Sequence, residues 1–112
     1  MKNLQVKKSA PLILIEMVDY VPRSVVNKTI VNKITGNISV MSFDIGEGLT
    51  EKTSPFDAFA QVIDGRAEII IDGRSNTVGT GQGIIIPAHR STILKANERF
   101  KMILTIIKSG YE

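Results

Sequence analysis

The chain of 112 residues has no cysteine and no tryptophan. Without thiols it has no disulfide framework, no thiolate nucleophile and no Cys-ligated metal. Histidine occurs once, at position 89, so any scheme that needs two imidazoles is excluded. Aromatic side chains are scarce, with two Tyr and four Phe. That leaves little stacking surface for bases, and no RNA-binding motif is present. No nucleic-acid partner is therefore expected, despite a formal net charge of +3. Long apolar runs are also missing. PLILI and MILTII fall far short of the roughly 20 residues that span a bilayer, so no membrane partner is expected. The lysines near the start are not followed by a long apolar stretch with a small-residue cleavage site. The expectation is a cytoplasmic protein. A phosphate loop of the type GxxxxGK[ST] and a G-x-S-x-G elbow are both absent.

What remains is an ordinary globular composition. Hydrophobic residues make up 43% and charged residues 22%, enough for one domain with its own core. From Ser24 onward the pattern is that of strands. SVVNKTIVNK is rich in β-branched residues, ITG turns the chain, and NISVMSFDI follows. GEGL reads as a turn, DAFAQVI as a strand that DG closes, and AEIIIDGRSNTVG as a hairpin turning at Asp72-Gly73. TGQG is a further turn, and GIIIPAH is a buried strand running into a loop at Pro87. STILKA and FKMILTIIK close the series around Asn97-Glu98. Residues 1–22 are mixed, with LILIEMVDY expected as a strand or loop at the sheet edge. Short, regularly spaced strands with Gly-rich turns predict an all-β sandwich or barrel.

Two spacings are more specific. Gly46, Lys52, Ser54, Ala58 and Gly65 stand at the positions of G-x5-H-x-H-x3-E-x6-G. Gly81, Pro87, His89, Thr92 and Ala96 stand at those of G-x5-P-x-G-x2-H-x3-N. These are the two motifs of the cupins, and over about residues 24–108 the chain resembles a small single-domain cupin of the conserved-barrel type. The resemblance implies a jelly-roll barrel, the double-stranded β-helix. It implies one domain over residues 1–112, with motifs at 46–65 and 81–96. It also implies a homodimer, for which the apolar stretch PLILIEMV is a reasonable element.

The ligand positions depart from the pattern. Metal-dependent cupins place three His and one Glu where this chain has Lys52, Ser54, Ala58 and Thr92. Ala offers no donor, neutral hydroxyls are poor ligands, and an ammonium repels a cation. Neither a metal nor another cofactor is expected. The resemblance turns the face of Lys52, Ser54 and Ala58 inward, with Ala60 and Val62 deeper. Lys52 is then a candidate to hold a carboxylate or phosphate, or to act as a base or amine nucleophile. The other reading has it reaching out of the mouth or pairing with Asp57 or Glu51. His89 is a candidate acid or base near neutral pH, or a surface residue following Pro87. Ser54 and Thr92 are candidates to hydrogen-bond a ligand. Asp57 and Gln61 fall on the strand face opposite Ala58 and are weighed as ligand contacts. The resemblance points Met102 into the barrel near the ligand position. Arg90 either steers anions at the mouth or is a solvated surface residue. Three functions follow from these residues. The first is metal-free binding of a small, anionic molecule. The second is a metal-independent isomerase or epimerase using Lys52 and His89. The third is a degenerate barrel serving as a structural or interaction module.

Overall fold

The computed structural model of the chain describes residues 6–108. The outer limits of the domain expected over 1–112 lie outside them. Among the described residues, eight strands follow a 3-10 turn at Leu14–Glu16. They are β1 (Val25–Lys33), β2 (Gly36–Phe43), β3 (Gly48–Lys52), β4 (Asp57–Ile71), β5 (Arg74–Gly79), β6 (Gly83–Ile86), β7 (Thr92–Lys95) and β8 (Phe100–Ile107). All pairings are antiparallel, in the order β1-β2-β8-β4-β7-β3, with β5 and β6 also on β4. The sheet curls on itself as a jelly roll, in agreement with the all-β expectation.

The curl is made by β4. Its first part pairs with β8 and β6, and residues 66–71 pair with β5 and β7. The DG at 64–65 does not end a strand, as the sequence suggested. A register shift between Val62 and Asp64 and a positive φ of 84° at Gly65 bend one 15-residue strand from one sheet face into the other. A Cβ at Gly65 would lie 2.1 Å from the Arg99 carbonyl oxygen, so only glycine allows this approach. GEGL also differs from expectation: the turn is confined to residues 45–46, and Gly48 already begins β3. The hairpin at Asp72-Gly73 is present, with φ of 49° and 80° as a tight turn needs.

Strand alternation places Ala58, Ala60 and Val62 of β4 on the inner face. Phe100, Met102, Leu104 and Ile106 of β8 share that interior. One end of the barrel is solid. Phe43 and Phe100 are fully buried and stacked with ring centroids 4.4 Å apart. Met102, Val62 and Ile69 pack around them. Each such side chain contributes roughly 1.5–3 kcal/mol by burial.

A second, smaller core lies on the outer face of the sheet. Val18 packs there with Val40 and Ile103. The segment before β1 is therefore an irregular strap over the sheet, with a 3-10 turn and no strand among its described residues. Its carbonyls bond to outward side chains instead of joining a ladder. Ser42 Oγ donates to the Asp19 oxygen (2.7 Å) and Lys101 Nζ to the Ile15 oxygen (2.6 Å). Tyr20 donates its hydroxyl to Asp64 Oδ2 at 2.5 Å. Burial, and then this bond, push the Tyr20 phenol well above its ordinary value.

Candidate functional site

The other end of the barrel is hollow. A cavity of about 180 Å³ lies beneath the loops at 53–56 and 87–91. Leu49, Ile86, Leu94, Leu104 and Ile106 form aliphatic walls, and Ala58 leaves the space where a longer side chain would reach. Lys52, Ser54, Phe56, Pro87, Arg90 and Thr92 complete the lining. Thr92 is buried, whereas Lys52, Ser54 and Arg90 are exposed and so form the rim.

Lys52 reaches the cavity because β3 is bulged. Leu49 stands opposite Leu94, and Lys52 stands opposite Thr92. Three steps along β3 therefore match two along β7, and one extra residue is absorbed between them. In an unbroken strand Glu51 would face inward with Leu49. Instead the Glu51 carboxylate accepts a bond from Ser91 Oγ on the outside of the mouth. Among the described residues, the Lys52 ammonium forms no hydrogen bond or ion pair.

Ser54, Thr92, Arg90 and Asp72 make local bonds around the mouth. Ser54 Oγ accepts the Phe56 N–H at 3.1 Å, and Thr92 Oγ1 donates to the Arg90 oxygen at 3.3 Å. Arg90 Nη1 donates to Asp72 Oδ2 at 2.9 Å, and the Ser91 N–H donates to Asp72 Oδ1 at 3.0 Å. The Asp72 N–H in turn donates to the Ser91 oxygen at 2.8 Å. The Arg90 bond, followed by the Ser91 N–H, holds the Asp72 carboxyl below its ordinary value. Asp72 thus sits behind the rim and fixes the segment that carries Arg90.

The residues singled out from the sequence separate into two groups. Lys52, Ser54, Ala58 and Thr92, the four motif positions, come together on the cavity. Met102 is inside the barrel but belongs to the solid end and does not line the cavity. Asp57 and Gln61 lie on the exposed outer face of β4. Asp57 Oδ1 accepts the Ala88 N–H at 2.7 Å, so it ties down the loop instead of lining the space. His89 is exposed at φ 66° and is also outside the lining. It occupies the motif position that usually holds glycine, and its positive φ shows why. Its N–H donates to the Ser54 oxygen at 2.7 Å, joining the two mouth loops. Sequence reasoning left Arg90 undecided and missed Asp72, Leu104 and Ile106. Counting by two from Met102 would have found the last two. Nothing local in the sequence marks Asp72, which reaches Arg90 only because the β4–β5 turn lies beside the mouth.

The donor set does not fit a divalent metal. It offers an ammonium, a methyl and two hydroxyls already used in local bonds, with no imidazole or carboxylate in the lining. Among the described residues no group of three or more His, Cys, Asp or Glu is placed to hold one.

The structure is similar to a conserved protein of unknown function from Streptococcus pyogenes. The two are 30% identical over 96% of this chain and 95% of the other, with a TM-score of 0.89. A cupin 2 conserved barrel domain protein from Leptotrichia buccalis is 34% identical with a TM-score of 0.82. That match covers 84% of this chain and 46% of the other, so the chain spans about half the length of that protein. A cupin superfamily protein from Desulfitobacterium hafniense is 21% identical and superposes with a TM-score of 0.87 over 97% of this chain and all of its own. No protein-family model and no curated protein matches the sequence. The chain belongs to the small cupin-fold proteins.

Proposed function

We propose that the protein binds a small molecule in the hollow end of its barrel, without a metal. One observation carries this reading. The four motif positions that hold a metal in other cupins here line a mostly aliphatic cavity with a cationic rim. A barrel kept only as a structural module has no need of that space, and the opposite end shows that the chain can pack solid. The isomerase or epimerase alternative asks for a second proton-transferring group beside Lys52. His89 is the candidate, and it lies outside the lining, whereas proton transfer requires hydrogen-bond reach of the reacting group.

The test is ligand-induced stabilisation. A ligand at a hundredfold excess over its Kd stabilises the folded state by about 2.7 kcal/mol. Ala58→Leu projects into the cavity from its wall and should remove the melting shift caused by any barrel ligand while leaving the fold intact. If the variant responds to ligands as the parent does, the cavity is not the site. Homodimerisation belongs to the same proposal. Leu12, Ile13 and Ile15 of the strap remain exposed although Leu14, Met17 and Val18 pack inward. Sedimentation velocity checks it, and a single monomeric species at micromolar concentration rules it out.

A further inference from the structure

Resting on the cavity as a binding site, we infer that its occupant is an apolar monocarboxylate about the size of benzoate or 3-methylbutanoate. Charge sets the sign and the count. Lys52 and Arg90 bring two cations to the rim, and no carboxylate lines the cavity. Glu51 is turned out to Ser91, and Asp57 holds the Ala88 N–H on the outer face. Asp72 pairs with Arg90 from behind. Both charged residues of the lining are cations, and Arg90 is paired with Asp72, so the charge left to meet a ligand is that of Lys52. That matches one negative charge and under-compensates a phosphate dianion.

The walls set the body. Below the rim the lining is aliphatic, and the Thr92 hydroxyl already donates to the Arg90 oxygen. A sugar or polyol pushed into this space would lose its water bonds and find few replacements, and each polar group left unpaired there weakens binding. A hydrocarbon body suffers no such loss. The volume sets the size. A dry apolar cavity of about 150 Å³ in an unrelated protein admits benzene, and this one measures about 180 Å³. A ring or a short branched chain fills it, leaving its carboxylate at the height of Lys52 and Ser54. Ser54 Oγ accepts from Phe56, so its hydroxyl hydrogen is left to donate.

Titration calorimetry with benzoate, its neutral isostere benzamide, phenyl phosphate and inorganic phosphate tests the assignment. Benzoate should bind at least tenfold more tightly than benzamide, and inorganic phosphate should bind far more weakly than either. Lys52→Met keeps an apolar stem of similar length at an exposed position. It should weaken benzoate at least tenfold more than it weakens benzamide and so erase the preference between them. Asp72→Asn should raise the charge at the mouth and improve phenyl phosphate relative to benzoate, a change of ratio that loop damage alone does not produce. If benzamide binds as well as benzoate, or phosphate binds better, the carboxylate class is wrong and the cavity reading stands. If Lys52→Met retains the preference, or Asp72→Asn leaves the ratio unmoved, the charge assignment fails. If neither benzoate nor benzamide binds, this inference fails, while the response of the parent and of Ala58→Leu to other ligands decides the proposed function separately.

Discussion

Gly65 and Gly46 are both motif glycines with positive φ, yet they carry different burdens. A methyl group at Gly65 meets the Arg99 carbonyl oxygen at 2.1 Å, while one at Gly46 meets nothing within 4 Å. Gly65→Ala therefore combines a steric conflict with an unfavourable φ and should cost at least about 2 kcal/mol. Gly46→Ala bears only the left-handed penalty of about 1–2 kcal/mol. Urea unfolding of the two variants measures the difference. His89 also holds a left-handed φ, so His89→Gly should be tolerated and His89→Val should lower the melting temperature, since a β-branched residue resists that conformation. Asp44 supplies a pH signature. The Arg23 N–H at 2.7 Å, then Arg99 Nε at 3.0 Å, hold its carboxyl below the ordinary 3.8. A depressed folded pKa contributes stability that is present above the unfolded value and is lost as pH falls through the folded one. Asp44→Asn should thus be less stable than the parent at neutral pH, with the gap closing only below pH 3.8. Melting temperatures across that range check the sign. At this scale the sequence offered Lys52 as a candidate and could not orient it, because orientation depends on a bulge that no residue type announces.

The strap before β1 is the element least visible in the sequence. Its apolar residues follow no strand period, and its anchors Ser42, Asp64 and Lys101 lie 23, 44 and 86 residues away from their partners. Only the folded sheet brings those groups together. Val18→Ala truncates the strap's contribution to the outer core and should cost about 1–2 kcal/mol, seen as a lower urea midpoint with an unchanged slope. The strands themselves were legible, since alternation and β-branched content mark β1, β2 and β8 directly, and the Asp72-Gly73 turn marks β5 as the return arm of a hairpin. The error at Asp64-Gly65 has a physical cause. The dipeptide that usually reverses a chain here takes its positive φ within a ladder, where β8 continues to pair on one side of the bend and β5 on the other. β4 is consequently a single strand shared by the solid and hollow ends.

Across the whole molecule, the barrel divides into a dense half that holds the fold and a hollow half that encloses the cavity. Substitutions at the rim should leave stability almost unchanged, while those near Phe43 and Phe100 should not. Phe100→Ala is expected to lose about 3–5 kcal/mol, and Lys52→Met within about 0.5 kcal/mol of the parent. Equilibrium unfolding compares them. The charged rim is open to solvent, so salt should weaken benzoate binding and spare benzamide as screening shortens to about 3 Å at 1 M. Which charge stands at that rim is decided by the extra residue in β3. Glu51 and Lys52 are adjacent in the chain and opposite in sign, and the bulge alone determines which of them looks inward. On the proposed binding role, selectivity is thus a matter of phase more than of composition. Exchanging the two residues leaves the amino-acid content and net charge untouched and should make the mouth receptive to amines. Such a step is within reach of ordinary divergence, and it offers one way for a common frame to acquire ligands of opposite charge.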